Sequence, residues 1–334
     1  MSIYILIIFF FISFIGTYLY KKIAISQNIL SNPNFRTLHT KPIPVGGGIV
    51  FSMVFIVGMI YHSWLNQLSN NLLLLIAVGG AAAALFGFLD DLKNIRALKK
   101  LTFQFLLSGW AFLCIDGGPL LMFDWLPSII TIPLTLLFLV WMMNGSNFMD
   151  GIDGMAISAA LFVSGMMIWV LLLTHPESEF IIVMALLFAS SCGFFLFNWP
   201  PASIFMGDAG SIFLGYLFGS LILVTVQVGD LTIWTWLVVL AYFFADIIVT
   251  QFMRVILVKK WYLPHRSHAY QNLARITGSH FRVTAGVVLY NLIWILPLTL
   301  WSALSPEMGP YAAVLAVSPG LFVAYRFGPR LSLS

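Results

Sequence analysis

Five aspartates are the residues of this chain best suited to chemistry, and they lie in three short segments beside apolar stretches. Asp90 and Asp91 form the first segment, Asp150 and Asp153 the second, and Asp208 the third. Glycine directly follows both aspartates of the second segment, so the backbone can turn tightly there and approach a ligand closely. Carboxylate oxygens of this kind suit Mg²⁺ held jointly with substrate phosphates. The pattern therefore predicts metal-assisted phosphoryl chemistry.

Each aspartate also has a simpler structural interpretation. Asp90 and Asp91 end an apolar stretch, where they could be interfacial charges that neighbouring lysines balance. Asp153 and Asp208 could each cap the helix that follows, as aspartate commonly does. Capping does not explain why Asn147 and a second aspartate accompany Asp153.

Basic and histidine side chains near the aspartate segments suit an anionic ligand. His265 and His268 flank Arg266, and such a group fits a phosphate or diphosphate. Arg36 and His39 precede a loop rich in proline and glycine, whose backbone amides also suit phosphate. These residues are candidates for binding the substrate.

One carboxylate lies inside an apolar stretch. Asp246 is eight residues before Arg254, about two helical turns away, and an ionisable residue within a membrane span suggests a functional role. We expect Arg254 to be its structural neighbour, and both to belong to the substrate site.

The composition of the chain excludes a soluble globular domain. Of its 334 residues, 60% are hydrophobic and 8% are charged. Apolar windows long enough to cross a bilayer occur about eleven times. We expect an all-α polytopic membrane protein, because the strand alternation of a membrane β-barrel is absent. The expected spans run near residues 3–20, 48–64, 71–89, 101–115, 128–143, 155–174, 180–197, 211–228, 231–253, 284–303 and 311–325.

All sixteen Lys and Arg residues can be placed on one side of the membrane, the side of the aspartate segments. By the positive-inside rule that side is cytoplasmic, with the N-terminus outside and the C-terminus inside. A ten-span alternative would move two C-terminal arginines outside, which the rule disfavours. Residues 1–334 then form a single integral-membrane domain with cytoplasmic active-site loops at 21–47, 90–100, 144–154, 198–211 and 254–283.

Two further features bear on partners and packing. The segregated basic residues favour anionic headgroups and phosphates over nucleic acid as partners. Small residues at 79–84, in the third expected span, either let a neighbouring helix approach closely or line a substrate groove.

The ordered motifs resemble those of the polyprenyl-phosphate N-acetylhexosamine-1-phosphate transferase superfamily. They are Asp90-Asp91 with Ile95-x-Ala97-x-x-Lys100-Leu101-x-x-Gln104, Asn147-x-x-Asp150-Gly-x-Asp153-Gly, and Phe205-Met-Gly-Asp208-x-Gly-Ser211. The segment from residue 265 to residue 271 is most similar to the branch that initiates O-antigen or capsule synthesis. It departs from the histidine-rich motif of the phospho-MurNAc-pentapeptide translocase, another member. The resemblance covers nearly the whole chain.

This resemblance implies a reaction and a location. Undecaprenyl phosphate would attack the β-phosphorus of a UDP-N-acetylhexosamine, giving undecaprenyl-diphospho-HexNAc and UMP. The cofactor would be Mg²⁺, with Mn²⁺ as an alternative. The enzyme would lie in the bacterial inner membrane among its lipids, with its active site facing the cytoplasm. A homodimer is compatible with the family.

The resemblance also implies roles for individual residues. Asp208 is the first choice for a catalytic Mg²⁺ ligand, and the catalytic Asp90 and Asp91 would orient or deprotonate the lipid phosphate, or help to hold the metal. Phe205 would stack on uracil beside the 147–153 motif. The complete set expected to bind substrate is Lys100, Asn147, Asp150, Asp153, Phe205, Asp246, Arg254, His265, Arg266, His268, Arg36 and His39.

Two other classes of protein remain as alternatives. A transporter or flippase of lipid-linked sugars would place ionisable residues near the bilayer midplane on broken helices, and here only Asp246 lies clearly within a span. A CDP-alcohol phosphatidyltransferase would carry an Asp-Gly-x-x-Ala-Arg pattern, but residues 153–158 contain no arginine. The sugar stays open among GlcNAc, GalNAc and 6-deoxy forms such as FucNAc or QuiNAc.

Overall fold

The computed structural model describes residues 3–31, 41–115, 126–257 and 265–330. These ranges are almost entirely helical, which confirms the all-α prediction. The one sheet within them pairs β1 Leu30–Ser31 antiparallel with β2 Ile43–Pro44. The helices, in chain order, are α1 Ile3–Ser26, α2 Gly48–Trp64, α3 Asn70–Leu72, α4 Gly79–Lys93, α5 Ala97–Cys114, α6 Ser128–Met149, α7 Met155–Thr174, α8 Phe180–Asn198, α9 Gly207–Val228, α10 Ile233–Val239, α11 Ala241–Leu257, α12 Ala269–Thr277, α13 His280–Tyr290, α14 Leu296–Leu304 and α15 Gly309–Phe327.

Eight helices of the described chain are long and apolar enough to cross a membrane, and a bent pair would make a ninth span. Short π-helical segments join α3 to α4 and α13 to α14, so each of these pairs forms one continuous span. Two predicted spans fall outside this set, because α2 has only 17 residues and α5 carries two lysines in its first turn. The chain is therefore a multi-pass membrane protein, whereas the count of about eleven spans and the orientation of the termini stay predictions.

The expected span at 231–253 is not one straight helix. α10 and α11 meet at Leu240, and their axes differ in direction by 79°. α11 then packs along α15. Asp246, in the second turn of α11, is buried beside the first residue of α12.

Close approach of helices to α9 organises the centre of the bundle. α4 and α6 pack against α9, which is the most deeply buried of the candidate spans in the described chain. A Cβ atom on Gly79 would lie 1.9 Å from the Tyr216 hydroxyl, and one on Gly87 would lie 2.2 Å from the backbone oxygen of Asp208. Small residues of α4 thus serve close packing, the first of the two roles expected for residues 79–84. This packing sets the Asp90–Asp91 end of α4 against the start of α9.

Candidate active site

A cavity of about 380 Å³ opens where α6 ends and where α7, α9, α12 and α13 begin. Four aspartates line one part of it, and histidine and arginine side chains line another. The complete lining within the described residues is Ser31, Val45, Asp91, Asn147, Phe148, Asp150, Gly151, Ile152, Asp153, Asn198, Phe205, Gly207, Asp208, His265, Arg266, His268, Gln271 and His280. A cavity with acidic and basic sides can hold an anionic ligand together with a cation.

Most of the predicted site residues meet in this cavity. Asp90 and Lys100 lie next to it, in contact with Asp208, but not in its wall. Asp246 and Arg254 lie behind the histidines, on α11. Arg36 and His39 lie outside the described residues. Nine of the predicted residues line the cavity: Asp91, Asn147, Asp150, Asp153, Phe205, Asp208, His265, Arg266 and His268.

Asp91 binds the N-terminus of α9. Its two carboxylate oxygens accept hydrogen bonds from the backbone amides of Asp208, at 2.8 Å, and Ala209, at 3.1 Å. These amides have no partner within the helix, and the positive end of the helix dipole favours a carboxylate there. Gly207, with φ +74°, allows the approach, because a Cβ atom there would lie 2.4 Å from Asp91 Oδ2. Asp91, which the sequence predicts to need a cation, therefore has both carboxylate oxygens hydrogen-bonded to backbone N–H groups of α9.

Lys100 bridges two carboxylates. Its Nζ atom lies 3.0 Å from Asp208 Oδ2 and also forms an ion pair with Asp90. The other oxygen of Asp90 accepts a hydrogen bond from the amide of Ile95 at 2.6 Å. Asn147 Nδ2 donates to the remaining oxygen of Asp208 at 2.7 Å. Lys100, expected to contact substrate phosphates, here balances the charge of Asp90 and Asp208.

The capping alternatives for the aspartates do not hold. The N-cap residue of α7 is Gly154, and that of α9 is Met206. Asp153 Oδ2 instead accepts a hydrogen bond from the amide of Ala202 at 3.0 Å, outside α7. Asp208 lies within the first turn of α9, where its side chain contacts other side chains.

Asp150 completes the acidic side of the cavity. Burial raises its pKa well above the usual range of an aspartate, and the charges of Asp208 and Asp91 raise it further. Three carboxylates this close repel one another, so the cluster gains stability from a proton or a cation. Within the described chain, no group of three or more His, Cys, Asp or Glu side chains is arranged to hold a metal ion. Metal binding by Asp208, Asp90 and Asp91 stays a prediction.

His280 is a site residue that the sequence motifs did not select. Its Nδ1 atom lies 2.9 Å from Asp153 Oδ1, and its Nε2 atom is buried without a hydrogen-bond partner among the described residues. Thr284, one turn further along α13, donates to the backbone oxygen of Asp153 at 2.8 Å. The sequence feature that could have identified His280 is its position just before an apolar span, on the side of the membrane where the aspartates are expected.

Behind the basic side of the cavity, Asp246 of α11 and His268, which directly precedes α12, form a buried pair. Asp246 and His268 are each 1% exposed, and His268 Nδ1 lies 3.6 Å from Asp246 Oδ2. The other oxygen of Asp246 accepts from the amide of Ala269 at 3.0 Å. The partners of Asp246 that the structure shows come from α12 and from Thr250, and the expectation that Arg254 is its neighbour stays a prediction.

His265 and His268 stack on each other beside this pair, with ring centroids 5.2 Å apart. Burial, together with the neighbouring charges of His268 and Arg254, lowers the pKa of His265 to about 3. His265 is therefore a neutral side chain near pH 7, and Arg266 is the fixed positive charge in the wall of the cavity.

A loop contact positions Phe205 in the wall. Its amide donates to the carbonyl of Pro44 at 2.8 Å, and its carbonyl accepts from the amide of Gly47 at 3.0 Å. The β2 segment and the loop before α9 thus form one side of the cavity, with Ser31 of β1 nearby.

Comparison with known proteins places these features in a family. Residues 73–226 match the family model described as glycosyl transferase family 4. The matched segment contains all three aspartate segments and ends before α10.

Individual relatives agree with the family model. A probable undecaprenyl-phosphate N-acetylglucosaminyl 1-phosphate transferase of Bacillus subtilis is 31% identical over 205 residues, covering 59% of this chain and 55% of that protein. The phospho-N-acetylmuramoyl-pentapeptide-transferase of Streptococcus pneumoniae is 33% identical over 196 residues, covering 53% of this chain and 58% of that protein. The protein of the same name from Prochlorococcus marinus is 32% identical over 255 residues, covering 68% and 69%.

The chain spans less than two thirds of the length of the first two relatives and slightly more of the third. Together, the family match, these relatives and the ordered motifs show that the chain belongs to the polyprenyl-phosphate N-acetylhexosamine-1-phosphate transferase superfamily.

Proposed function

We propose that the protein transfers an N-acetylhexosamine 1-phosphate from a UDP-sugar to undecaprenyl phosphate and releases UMP. The observation that carries the proposal is the cavity itself. Its aspartates face an arginine and a group of histidines at the ends of membrane helices. Such a position suits a reaction between a lipid phosphate held at the headgroup level and a nucleotide from the aqueous phase.

The bond changes are those of a phosphoryl transfer. An oxygen of undecaprenyl phosphate forms a bond to the β-phosphorus of the UDP-sugar, and the bond from that phosphorus to the bridging oxygen breaks. The electron pair leaves with UMP. A phosphate monoester is already largely ionised at neutral pH, because its second pKa is about 6. The side chains are therefore needed for positioning and charge balance more than for proton removal.

The chemistry of the carboxylates on the acidic side of the cavity suits a divalent cation, although no three of these side chains are arranged around a common point in the described residues. Asp208, Asp91 and Asp150 supply hard oxygen donors, and burial of mutually repelling carboxylates favours a bound cation. These three would hold Mg²⁺, or Mn²⁺, while Asp90 stays paired with Lys100. When bound, the ion would neutralise charge on the diphosphate and the leaving UMP.

The remaining wall residues would bind the donor. Arg266 supplies a permanent positive charge for phosphate. Phe205 offers an aromatic face to the uracil, and Asp153, held by His280, offers an acceptor for the nucleoside. Asn147 would keep the carboxylate of Asp208 in place through its hydrogen bond.

For the sugar we propose GlcNAc first, since one relative carries that sugar in its name, and a 6-deoxy N-acetylhexosamine second. The product would initiate a cell-surface glycan such as O-antigen. The active site would face the cytoplasm, because the basic residues fall on that side under the positive-inside rule.

The test is UMP release by the purified protein in detergent with undecaprenyl phosphate, Mg²⁺ and a panel of UDP-N-acetylhexosamines. We expect lipid-dependent UMP from one donor, loss of activity with EDTA, and a loss of more than about 100-fold in Asp208→Asn. Asp230→Asn is the matched control, because Asp230 lies in the loop between α9 and α10, outside the cavity. Near-normal turnover by folded Asp208→Asn would refute the metal assignment, and no turnover with any donor would refute the proposed reaction.

The transporter alternative gains one observation, the break between α10 and α11, because transporters often use broken helices. Asp246 on α11, however, is buried and contacts the start of α12 beside the cavity. Movement of a lipid-diphosphate-sugar across vesicles without UMP release would favour the transporter.

A further inference from the structure

The carboxylates on the acidic side of the cavity have partners within the protein. Both oxygens of Asp91 accept hydrogen bonds from backbone amides of α9. Asp208 accepts from Asn147 Nδ2 through Oδ1, at 2.7 Å, and contacts the ammonium of Lys100 through Oδ2, at 3.0 Å. No three acidic or histidine side chains anywhere in the described ranges are arranged to hold a metal ion. In this arrangement the positive charge beside Asp208 is therefore the ammonium of Lys100.

Lys100 can move away from Asp208 without losing its second acidic partner. Its side chain is 33% exposed and carries the ammonium on a flexible four-carbon stem. The same ammonium forms an ion pair with Asp90, whose side chain is only 2% exposed. A lysine that leaves Asp208 would thus keep Asp90, and the more deeply buried carboxylate would keep its cation.

Asp208 needs a positive partner because it lies among other acids. Burial and the charge of Asp208 raise the pKa of Asp150 well above the usual range, which shows how costly negative charge is at this place. An ammonium and a divalent ion on one carboxylate repel each other, since both are positive and only a few ångströms apart. One cation should therefore replace the other at Asp208.

We propose that Lys100 and a divalent cation are alternative partners of Asp208. The ammonium balances the carboxylate in the arrangement described above, and it moves off Asp208, keeping Asp90, when the ion binds. The proposal rests on the metal assignment under the proposed function and adds that competition with Lys100 weakens the affinity for the ion. The released ammonium is then free to contact a substrate phosphate, the role that the family resemblance implies for it.

The first measurement is Mn²⁺ binding to the purified protein without nucleotide or lipid, followed by the electron paramagnetic resonance signal of free Mn²⁺. Lys100→Met should bind Mn²⁺ about tenfold more tightly than wild type, because the competing ammonium is gone. Lys99→Met is the matched control, since it removes an exposed positive charge from the same helical turn that forms no ion pair with a described residue. Its Mn²⁺ affinity should stay close to that of wild type, because solvent and salt screen an exposed charge.

A second measurement uses the wild type, so it does not depend on the folding of a variant. Reductive methylation followed by mass spectrometry reports how accessible each lysine ammonium is. Mg²⁺ should raise the labelling rate of Lys100, which loses one of its two carboxylate contacts, and leave the rate of Lys99 unchanged.

Two results would overturn the proposal. One is a Mn²⁺ affinity of folded Lys100→Met that is equal to or weaker than that of wild type, and the other is a labelling rate of Lys100 that Mg²⁺ does not change. Either result leaves the proposed reaction standing if the wild type releases UMP. A lack of Mn²⁺ binding by both proteins, even with UDP-GlcNAc present, would instead refute the metal assignment and this proposal together.

Discussion

Lys100→Met is the substitution whose consequence follows most directly from the structure. The Asp90 side chain is only 2% exposed, and the ammonium of Lys100 is the partner that balances its charge. Removing the ammonium leaves one buried carboxylate unpaired and deprives Asp208 of a second contact. A buried charge that loses its partner destabilises a fold far more than an exposed one.

The size of the effect can be estimated from the contact distances. At the 3.0 Å between Lys100 Nζ and Asp208 Oδ2, the attraction of two unit charges is about 5 kcal/mol for an effective dielectric constant near 20. The Lys100 side chain is 33% exposed, so solvent reduces this attraction, and we expect a net loss of about 2–3 kcal/mol. For a chain of 334 residues, that corresponds to a fall in Tm of about 3–4 °C.

The assay is thermal unfolding of the detergent-solubilised protein, with Lys99→Met as the control. Lys99 is adjacent, exposed and in the same helical turn, and it forms no ion pair with a described residue. Adding Asp90→Asn to Lys100→Met should recover part of the lost stability, because it removes the unpaired charge. The reasoning fails if Lys100→Met and Lys99→Met have the same Tm, or if the double variant has a lower Tm than Lys100→Met alone.

Three further predictions use the same unfolding assay. Gly207→Ala should lower Tm and turnover together, since it combines a positive φ with a clash against Asp91; unchanged turnover would exclude a role for the α9 N-terminus. Gly79→Ala should lower Tm by several degrees because its Cβ atom would overlap a buried tyrosine hydroxyl, whereas Gly109→Ala, with open space around it, should not. His265 has a folded-state pKa of about 3, below its ordinary value of 6.5, so the folded state binds fewer protons and loses stability as pH falls below about 6.5. Between pH 7 and pH 5, the Tm of His265→Gln should therefore fall by less than the Tm of the wild type. An equal fall would contradict the pKa of His265.

The family match covers the segment that carries the three aspartate motifs. The family match ends at residue 226. Beyond it, the break between α10 and α11 and the packing of α12 supply the histidine and arginine side of the cavity. Donor specificity should therefore depend on residues beyond the shared segment.

Several properties could be predicted from the sequence because they depend on local pattern. Long apolar windows require helices in a bilayer, since the backbone must satisfy its own hydrogen bonds there. The order of the aspartate motifs predicted the family, and these motifs together with the 265–268 segment predicted nine of the residues that line the cavity. Glycine beside an aspartate indicated where the backbone approaches a ligand or another helix.

Contacts between distant parts of the chain could not be predicted in this way. Asp91 accepts amides from a helix that begins more than one hundred residues later, and His280 reaches Asp153 across 127 positions. Both pairs form because helix ends meet where glycine permits close packing, a condition that no single segment contains. The sequence alone determined that this is a helical membrane protein with acidic motifs in a fixed order. Only the tertiary structure decided which acid faces a helix terminus, which faces a lysine and which faces the cavity, because those partners depend on how the helices pack in space.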